Sequence, residues 1–252
     1  MTEILNFPLG IFAVSMVVLW LSVQAGDFVG ARLHHMLEDE RKDLDLVINA
    51  SMTLLALIIG FTFSMAVSRY DQRKNYEEEE ANAIGTEYLR ADLLSPDDAA
   101  AVRTLLRSYL DQRLLFYTSR DHAELQRVDA ETAILQDKLW ASVRHSASAQ
   151  PTPLMALAVS GMNDVINRQG YTQAAWWNRI PSGAWALMFS LAVCCSLLIG
   201  YSAHHRGKVL FSVLPFLVSV AFFLIADIDS PRRGVIRVAP RNLISVSESL
   251  RK

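Results

Sequence analysis

Four stretches of the chain lack any charged or histidine side chain and are long enough to cross a lipid bilayer. They cover residues 4–26, 46–68, 180–203 and 209–226. At about 1.5 Å per helical residue, the three longer stretches reach about 34 Å and the last about 27 Å, against a hydrocarbon core of about 30 Å. The pattern therefore predicts four transmembrane helices.

The segment between the second and third stretches, residues 70–178, shows the apolar period of a helix. The string "SPDDAA" at Ser95 supplies an N-cap residue, a proline at the first helical position and two acids in the first turn. Two amphipathic runs follow, with apolar residues at Val102, Leu105, Leu106, Tyr109 and Leu110, and then at Leu125, Val128, Leu135, Leu139 and Val143. The string "SASAQPTP" ends the second run, and a third, shorter helix is predicted over residues 154–168. The predicted fold class is all-α: an integral membrane protein with a helical domain outside the membrane.

The second span has no sequence signal for an end at the membrane surface. Residues 46–94 contain no proline, and their only glycines are Gly60 and Gly85. One helix of about 70 Å is therefore predicted, more than twice the membrane core. The predicted domains are residues 1–68 (transmembrane helices 1 and 2), 69–178 (a cytoplasmic helical domain that continues helix 2), 179–229 (transmembrane helices 3 and 4) and 230–252 (a cytoplasmic C-terminal tail).

Composition and charge agree with this division. Hydrophobic residues make up 52% of the chain and charged residues 20%, which is typical of a membrane part joined to a soluble part. The formal net charge of −2 creates no basic field, so we expect no nucleic-acid partner. Four spans place both termini and residues 69–178 on one side of the membrane. Lysine and arginine near the span ends are more numerous on that side, which predicts that it is cytoplasmic.

The second span carries a stripe that is a candidate for a pore lining. Thr53, Leu57, Phe61 and Met65 follow one another at steps of four residues, and Gly60 in the same stretch is a candidate for flexibility of the helix. In an oligomer such a stripe can surround a pore and constrict it with apolar side chains, which gate by dewetting. Ordinary packing within a four-helix bundle produces the same stripe, so periodicity leaves both interpretations open.

Four consecutive acids, Glu77, Glu78, Glu79 and Glu80, follow on the same predicted helix. Four consecutive positions cover nearly all directions around a helix, so at least one carboxylate faces any chosen side. In a symmetric oligomer the run forms a ring of carboxylates around a cytoplasmic vestibule, and such a ring attracts cations. The alternative interpretation is a solvated helix face.

The fourth span ends in a charged motif, "ADIDSPRRGVIRV". Its members at the membrane boundary are Asp227, Asp229, Pro231, Arg232, Arg233 and Gly234. Proline stops the helix and glycine permits a turn. The two aspartates are weak candidates for a calcium or magnesium site, because two carboxylates fall short of a full coordination shell. The other interpretation is a structural lock in which they accept hydrogen bonds from the backbone or from Arg232 or Arg233.

Other reactive side chains give weaker signals. His34 with His35, and His204 with His205, lie in the two loops of the non-cytoplasmic side and could bind a transition metal or respond to pH, although histidines without such a role are common there. Cys194 and Cys195 are adjacent, and we expect two buried thiols. The sequence contains no glycine-rich phosphate loop, zinc-protease pattern or nucleophile elbow, so we expect neither an enzyme nor a cofactor.

Two strings resemble the bestrophin-like family of bacterial membrane proteins, and the resemblance spans essentially the whole chain. They are "LIIGFTFSMAVSRYDQRKNYEEEEANAIGTEYLRADLL", from residue 57, and "ADIDSPRRGVIRV", from residue 226. The stretch from Ile59 to Phe61, with Arg69 and Gln72 after it, is more distantly similar to the pore helix of bestrophin channels. There, a Leu-Gly-Phe-Tyr stretch leads to an Arg-Trp-Trp.

Bestrophins are pentameric channels with four spans per subunit, a hydrophobic neck and a helical cytosolic vestibule. The resemblance implies a neck at Phe61, with Leu57 and Thr53 one and two turns away. This sequence departs from the pattern at Tyr70 and Asp71, which replace the tandem tryptophans. It also lacks the dense acidic calcium-binding run after the last span, so the resemblance does not extend to calcium gating.

Two functional hypotheses follow from these observations. The first is a homo-oligomeric, pentameric ion channel of the bacterial inner membrane, whose partners are the lipid bilayer, inorganic ions and further copies of the chain. The second is a non-conducting membrane protein that recruits a cytoplasmic partner or signals. In that case Leu105, Leu106 and Tyr109 form the docking face, and the apolar stripe of the second span serves for packing.

Overall fold

The structure, a computed structural model, describes residues 7–32, 38–202 and 210–251, and these ranges contain helices and no strand. Eight α-helices follow one another: α1 (Pro8–Arg32), α2 (Glu38–Arg90), α3 (Pro96–Thr118), α4 (His122–Ala149), α5 (Pro153–Trp177), α6 (Ser182–Ser202), α7 (Leu210–Asp229) and α8 (Arg241–Leu250). Four of them, α1, α2, α6 and α7, include segments long and apolar enough to cross a membrane. The predicted all-α class with four spans is confirmed.

Helix α2 is unbroken over 53 residues, and a short 3₁₀ turn at Ala91–Leu93 follows it. Its length is about 80 Å at about 1.5 Å per residue. The prediction of one helix that continues from the second span into the acidic run is therefore confirmed. The helix also begins earlier than the charge-free stretch, because Glu38 to Asp45 supply a polar first segment that is compatible with helix formation.

Local signals account for the start of α3 and for the length of α5. The Ser95 hydroxyl accepts a hydrogen bond from the backbone N–H of Asp98 at 3.3 Å, with Pro96 at the first helical position, as predicted. Helix α5 starts at Pro153, one residue before the predicted start, and ends only at Trp177, so the predicted end at residue 168 was wrong. Gly170 is the one weak helix former in the extension, and burial of Thr172 and Trp176 there favours continuation of the helix.

The chain divides into two compact units. The membrane unit consists of residues 1–70 and 179–237, and the polar unit consists of residues 71–178 and 238–252. The core of the membrane unit draws on all four spans, since Leu19 of α1, Leu55 of α2, Met188 of α6 and Phe222 of α7 are at most 2% exposed. Trp185 meets Phe222 edge to face, with ring centroids 6.1 Å apart. Lipid tails are as apolar as these side chains, so the hydrophobic effect does not drive the spans together within a membrane. Close packing around this core holds the spans together instead.

Three glycines bring α1 and α6 together in the membrane unit. A Cβ added at Gly26 would lie 2.1 Å from the carbonyl oxygen of Leu197, and one at Gly200 would lie 2.0 Å from that of Val23. A Cβ at Gly30 would lie 2.7 Å from the carbonyl oxygen of Tyr201. Small residues four apart allow this backbone contact between membrane helices. The "GDFVG" string at Gly26 was an available signal for it.

In the polar unit, α3 packs against α4 and α8, and α4 packs against α5. The apolar stripes predicted for α3 and α4 form its interior: Val102, Leu106, Leu139 and Val143 are each 0% exposed. Tyr109 is also 0% exposed, and Leu105 is half-buried. The proposed docking face at Leu105, Leu106 and Tyr109 is therefore wrong, because most of that face is the core of the unit.

Candidate functional site

The pore-lining candidates lie on an uncovered face of α2. Leu57 is 52% exposed and Phe61 is 65% exposed, and Thr53 is exposed as well. The hydroxyl of Thr53 donates to the carbonyl oxygen of Asn49 at 2.8 Å. A threonine whose hydroxyl bonds to its own helix in this way presents its methyl group outward more readily, so it is compatible with an apolar constriction.

The opposite face of α2 makes the contacts with the rest of the membrane unit. Leu55, Thr62 and Ala66 are buried, and they lie roughly 140° to 180° around the helix from Leu57 at about 100° per residue. Only 11% of the most apolar 18-residue window of α2 is buried, against 50% of that of α7. The stripe at Thr53, Leu57 and Phe61 is thus not covered by any of the residues that the structure describes.

Gly60 lies on the exposed side of the same segment. A Cβ added there would meet none of the described residues within 4 Å, so packing against them does not require glycine at this position. The helix is continuous through it. Its role in helix flexibility stays a prediction.

The four consecutive acids divide into two buried and two accessible side chains. Glu77 is 1% exposed and Glu80 is 0% exposed, whereas Glu78 is exposed and Glu79 is half-buried. Glu79 pairs with Arg168 of α5, with 2.5 Å between Oε2 and Nη1. In the folded chain, Glu78 is therefore the member of the run best placed to line a water-filled vestibule.

Glu80 is the centre of a buried polar network in the polar unit. Its Oε1 accepts from Nε of Arg113 in a fully buried ion pair. Its Oε2 accepts from the hydroxyl of Thr172 at 3.0 Å and from that of Tyr117 at 3.4 Å. The Arg113 guanidinium also lies over the Phe116 ring, 4.4 Å from its centroid. The network joins α2, α3 and α5.

Two effects set the pKa values of the ionisable groups around Glu80: burial of each group and the negative charge of Glu80. Burial lowers the pKa of Arg113, but the Glu80 carboxylate outweighs it, and the net shift is upward. Burial raises the pKa of Tyr117 and of Tyr109, and the negative charge of Glu80 raises both further. Arg113 is consequently charged and both phenols are neutral at physiological pH. The buried network therefore contains the Arg113 cation and the neutral phenol of Tyr117.

Glu77 caps the N-terminus of α8, which lies in the segment predicted as a tail. Its Oε1 accepts from the backbone N–H groups of Asn242 and Leu243 at 3.0 Å each, and its Oε2 accepts from Nδ2 of Asn242 at 2.7 Å. The first N–H groups of a helix have no partner within the helix, and a carboxylate there also interacts favourably with the helix dipole. Glu77 thus attaches the last helix to α2.

The two aspartates of the boundary motif bind backbone N–H groups at different places. Asp227 is 2% exposed and accepts from Val235 N at 2.7 Å and from Ile236 N at 2.8 Å. Asp229 is 5% exposed and accepts from Ile180 N at 3.2 Å, just before α6. Asp227 closes the turn after α7, and Asp229 joins the end of α7 to the start of α6.

The remaining residues of the motif shape the turn. Helix α7 ends at Asp229, before Pro231, and a Cβ at residue 234 would lie 2.2 Å from the carbonyl oxygen of Asp227, so the turn requires Gly234. The Arg233 guanidinium lies 4.3 Å from the centroid of the Phe7 ring. Arg232 is half-buried. Across residues 7–32, 38–202 and 210–251, no group of three or more histidine, cysteine or acidic side chains is placed to hold a metal ion.

The histidine and cysteine predictions have different outcomes in the structure, and one buried charge was not predicted. Both histidine pairs lie outside the described residues. Cys195 is buried as expected, but Cys194 is exposed, because adjacent helical residues point about 100° apart. Arg113 was missed, although a charged residue on the apolar stripe of α3, between Tyr109 and Phe116, was a readable signal of a buried charge that needs a partner.

Comparison with known proteins agrees with this architecture. The family model described as a bestrophin-like domain matches residues 10–243. A crystal structure of a point mutant of a bacterial bestrophin homologue from Klebsiella pneumoniae superposes with a TM-score of 0.66 at 12% identity, covering 96% of this chain and 97% of that chain. A structure of the same homologue phased with zinc gives a TM-score of 0.63 at 12% identity, covering 94% and 97%. At this identity the likeness shows the fold. No curated protein matches the chain significantly.

Proposed function

The chain belongs to the bestrophin-like family, and from that premise we propose that it is an oligomeric, pentameric ion channel whose pore is lined by α2. Thr53, Leu57 and Phe61 form its hydrophobic neck, with Gly60 as a point of flexibility, and Glu78 lines an acidic cytoplasmic vestibule. Inorganic ions are its cargo, and cations are favoured over anions because the accessible charge of the acidic run is negative.

The uncovered face of α2 is the observation that carries this proposal. A span in an ordinary four-helix bundle covers its apolar stripe with neighbouring spans, but Leu57 and Phe61 are 52% and 65% exposed. Lipid on that face would give the same exposure in a single chain. Membership of a family related to channels favours a pore at the centre of an oligomer over a lipid-facing surface.

The proposed location is the bacterial inner membrane, with both termini and the polar unit in the cytoplasm. The basic residues near the span ends support this orientation, because lysine and arginine are enriched in cytoplasmic segments. Reaction of single introduced cysteines with a membrane-impermeant reagent in intact cells checks it. Ser249→Cys, in α8, should be protected until the membrane is permeabilised.

The neck is tested by ion flux from liposomes that contain the purified full-length protein. Phe61→Ala and Leu57→Ala widen the constriction and remove apolar surface, so we expect conductance to rise, because dewetting of the neck becomes less favourable. Phe63→Ala is a matched control: Phe63 is 41% exposed and lies about 160° around the helix from Phe61. Equal effects of Phe61→Ala and Phe63→Ala would exclude this neck.

The vestibule is tested by ion selectivity in the same preparation. Glu78→Gln removes an exposed carboxylate from α2 and should lower the permeability of cations relative to anions. Asp129→Asn removes an exposed carboxylate from α4 and should leave the ratio unchanged. An unaltered ratio in Glu78→Gln would contradict the vestibule. Electron microscopy in lipid nanodiscs tests the assembly, since a monomer would exclude the whole proposal.

A further inference from the structure

A cleft of about 280 Å³ lies between α2 and α5 in the polar unit. Its charged lining residues are Glu79 and Arg90 from α2, and Asp164 and Arg168 from α5. Two acids and two arginines give the lining no net charge. Glu79 and Arg168 are already paired with each other, so Arg90 and Asp164 carry the remaining opposite charges.

Glu87 lies beside this cleft and has no role in the proposed pore. Its side chain is 0% exposed, and neither carboxyl oxygen has a hydrogen-bond partner in the part of the chain that the structure describes. Nη1 of Arg90 lies 4.0 Å from its Oε2, beyond hydrogen-bond distance. A buried carboxylate in this situation lacks the donors that would stabilise its charge.

A glycine on α5 makes room for this carboxyl group. A Cβ at Gly161 would lie 1.9 Å from Oε2 of Glu87 and 2.3 Å from Nη1 of Arg90. The carboxyl of Glu87 therefore occupies the position that a side chain of residue 161 would take. Gly161 also lines the cleft, so the carboxyl lies directly behind the cleft wall.

The charged groups that face Glu87 have opposing effects on its ionisation. Burial raises the pKa of Glu87 to about 8; the positive charge of Arg90 opposes the rise, and the negative charge of Asp164 adds to it. Glu79 and Arg168 lie further along the same cleft as an ion pair. Glu87 is outside the charge-free span, 19 residues after Ser68 or about 28 Å along the helix.

We propose that Glu87 is a proton-binding site that controls the pairing of Arg90 at this cleft. When Glu87 is protonated, it needs no cation, and Arg90 faces the cleft opposite Asp164. When Glu87 releases its proton to water, the buried carboxylate draws Arg90 across the 4.0 Å gap into a hydrogen-bonded pair. The cleft then loses its balancing positive charge and becomes net negative. This inference does not depend on ion conduction.

Infrared spectroscopy of the full-length protein in nanodiscs tests the proton site. The carbonyl stretch of a protonated carboxyl group should disappear as the pH rises, with a midpoint near 8. Glu87→Gln, which keeps the shape of the protonated acid, should lack this transition. Glu79→Gln, in the same cleft, should retain it. A transition that survives in Glu87→Gln, or a wild-type spectrum without one near this pH, would overturn the proposal.

Two further variants test the assigned neighbours by the sign of their effects. Arg90→Gln should raise the midpoint, because a cation that favours the ionised form is lost. Asp164→Asn should lower it, because a negative charge that disfavours the ionised form is lost. A shift in the wrong direction would show that these groups do not face Glu87 as described.

The movement of Arg90 is tested separately by its reaction with phenylglyoxal, mapped by mass spectrometry. Above the midpoint, the reactivity of Arg90 should fall in the wild-type protein relative to Glu87→Gln at the same pH, because Arg90 is then engaged by the carboxylate. Equal reactivity of Arg90 in the two proteins over the whole pH range would refute the switch.

Discussion

In its first half, α2 leaves apolar side chains such as Leu57 and Phe61 exposed, and in its second half it buries the acids Glu77, Glu80 and Glu87. The two halves are one helix with the same backbone hydrogen bonding. Outward-facing apolar groups suit lipid, a second subunit or a dewetted pore. Glu77 and Glu80 accept hydrogen bonds from donors on other helices, whereas Glu87 is buried without a hydrogen-bond partner among the described residues. Along this one helix, apolar side chains are exposed in the first half and acidic side chains are buried in the second half. Both features are the reverse of the usual pattern in a soluble protein.

The largest expected effect comes from breaking the charged interior at Glu80. Glu80→Ala leaves Arg113 buried without its carboxylate, and we expect the polar unit to lose about 3–5 kcal/mol of stability. Hydrogen exchange of α3 in the full-length protein measures this loss. Glu78→Ala, on the exposed side of the same run, should change it by less than about 0.5 kcal/mol.

A double replacement tests whether the Glu80–Arg113 ion pair itself stabilises the fold. The alternative is that the fold is destabilised only when one partner is removed and the other charge is left buried alone. Glu80→Leu combined with Arg113→Met replaces both charges by apolar groups, and should recover most of the loss, because the unpaired charge is gone. A double variant as unstable as Glu80→Ala would mean that Thr172 and Tyr117 contribute more than the ion pair does.

A smaller loss is expected at the contact between α1 and α6. Gly200→Ala places a methyl group 2.0 Å from a backbone oxygen, and such overpacking costs about 1–3 kcal/mol. Gly60→Ala, on the uncovered face of α2, places a methyl group with no atom of the described residues within 4 Å, and should be neutral or stabilise the helix by up to about 1 kcal/mol. Thermal unfolding in detergent compares the two variants. Similar losses for both would contradict the assignment of covered and uncovered faces.

The buried acid Glu87 predicts a pH dependence of stability. Because its pKa rises from 4.5 in a model peptide to about 8 in the fold, the folded state binds one more proton than the unfolded state between these values. Stability from this group is complete below pH 4.5 and declines as the pH rises toward 8, with a slope of at most about 1.4 kcal/mol per pH unit. Glu87→Gln should flatten the decline measured by chemical denaturation. An unchanged slope would contradict the burial of an unpaired acid.

The smallest expected effect is at Glu77. Glu77→Ala removes the cap of α8 and should cost about 1 kcal/mol, as the loss of other helix caps does. Hydrogen exchange should increase within Arg241–Leu250, with little change in α4. Equal protection of α8 in Glu77→Ala and Glu78→Ala would show that the cap does not stabilise that helix.

Local signals in the sequence were sufficient for the spans, for the long α2 and for the start of α3 at Ser95. Each depends on a charge-free length or on a few neighbouring residues. The buried partners are a different case, since Glu80 meets Arg113 across 33 residues and Thr172 across 92. Four identical acids in succession look alike in sequence, so only tertiary packing distinguishes Glu77 and Glu80 from Glu78.

The docking-face prediction failed for a related physical reason. An amphipathic stripe such as the one through Leu106 and Tyr109 has the same pattern whether it covers a core or awaits a partner. Only the presence of α4 and α8 beside α3 decides between the two. The face of α2 at Leu57 is left uncovered by the described residues, so its role as a pore lining stays a prediction.

The cap on α8 has a consequence for synthesis on the ribosome. Glu77 and Asn242 are 165 residues apart. At about 5–20 residues per second, Glu77 is made roughly 8 to 33 seconds before its partner. During that interval the carboxylate must stay hydrated or pair elsewhere, while the spans on either side enter the membrane. Translation order thus makes the attachment of α8 one of the last steps in the maturation of each new chain.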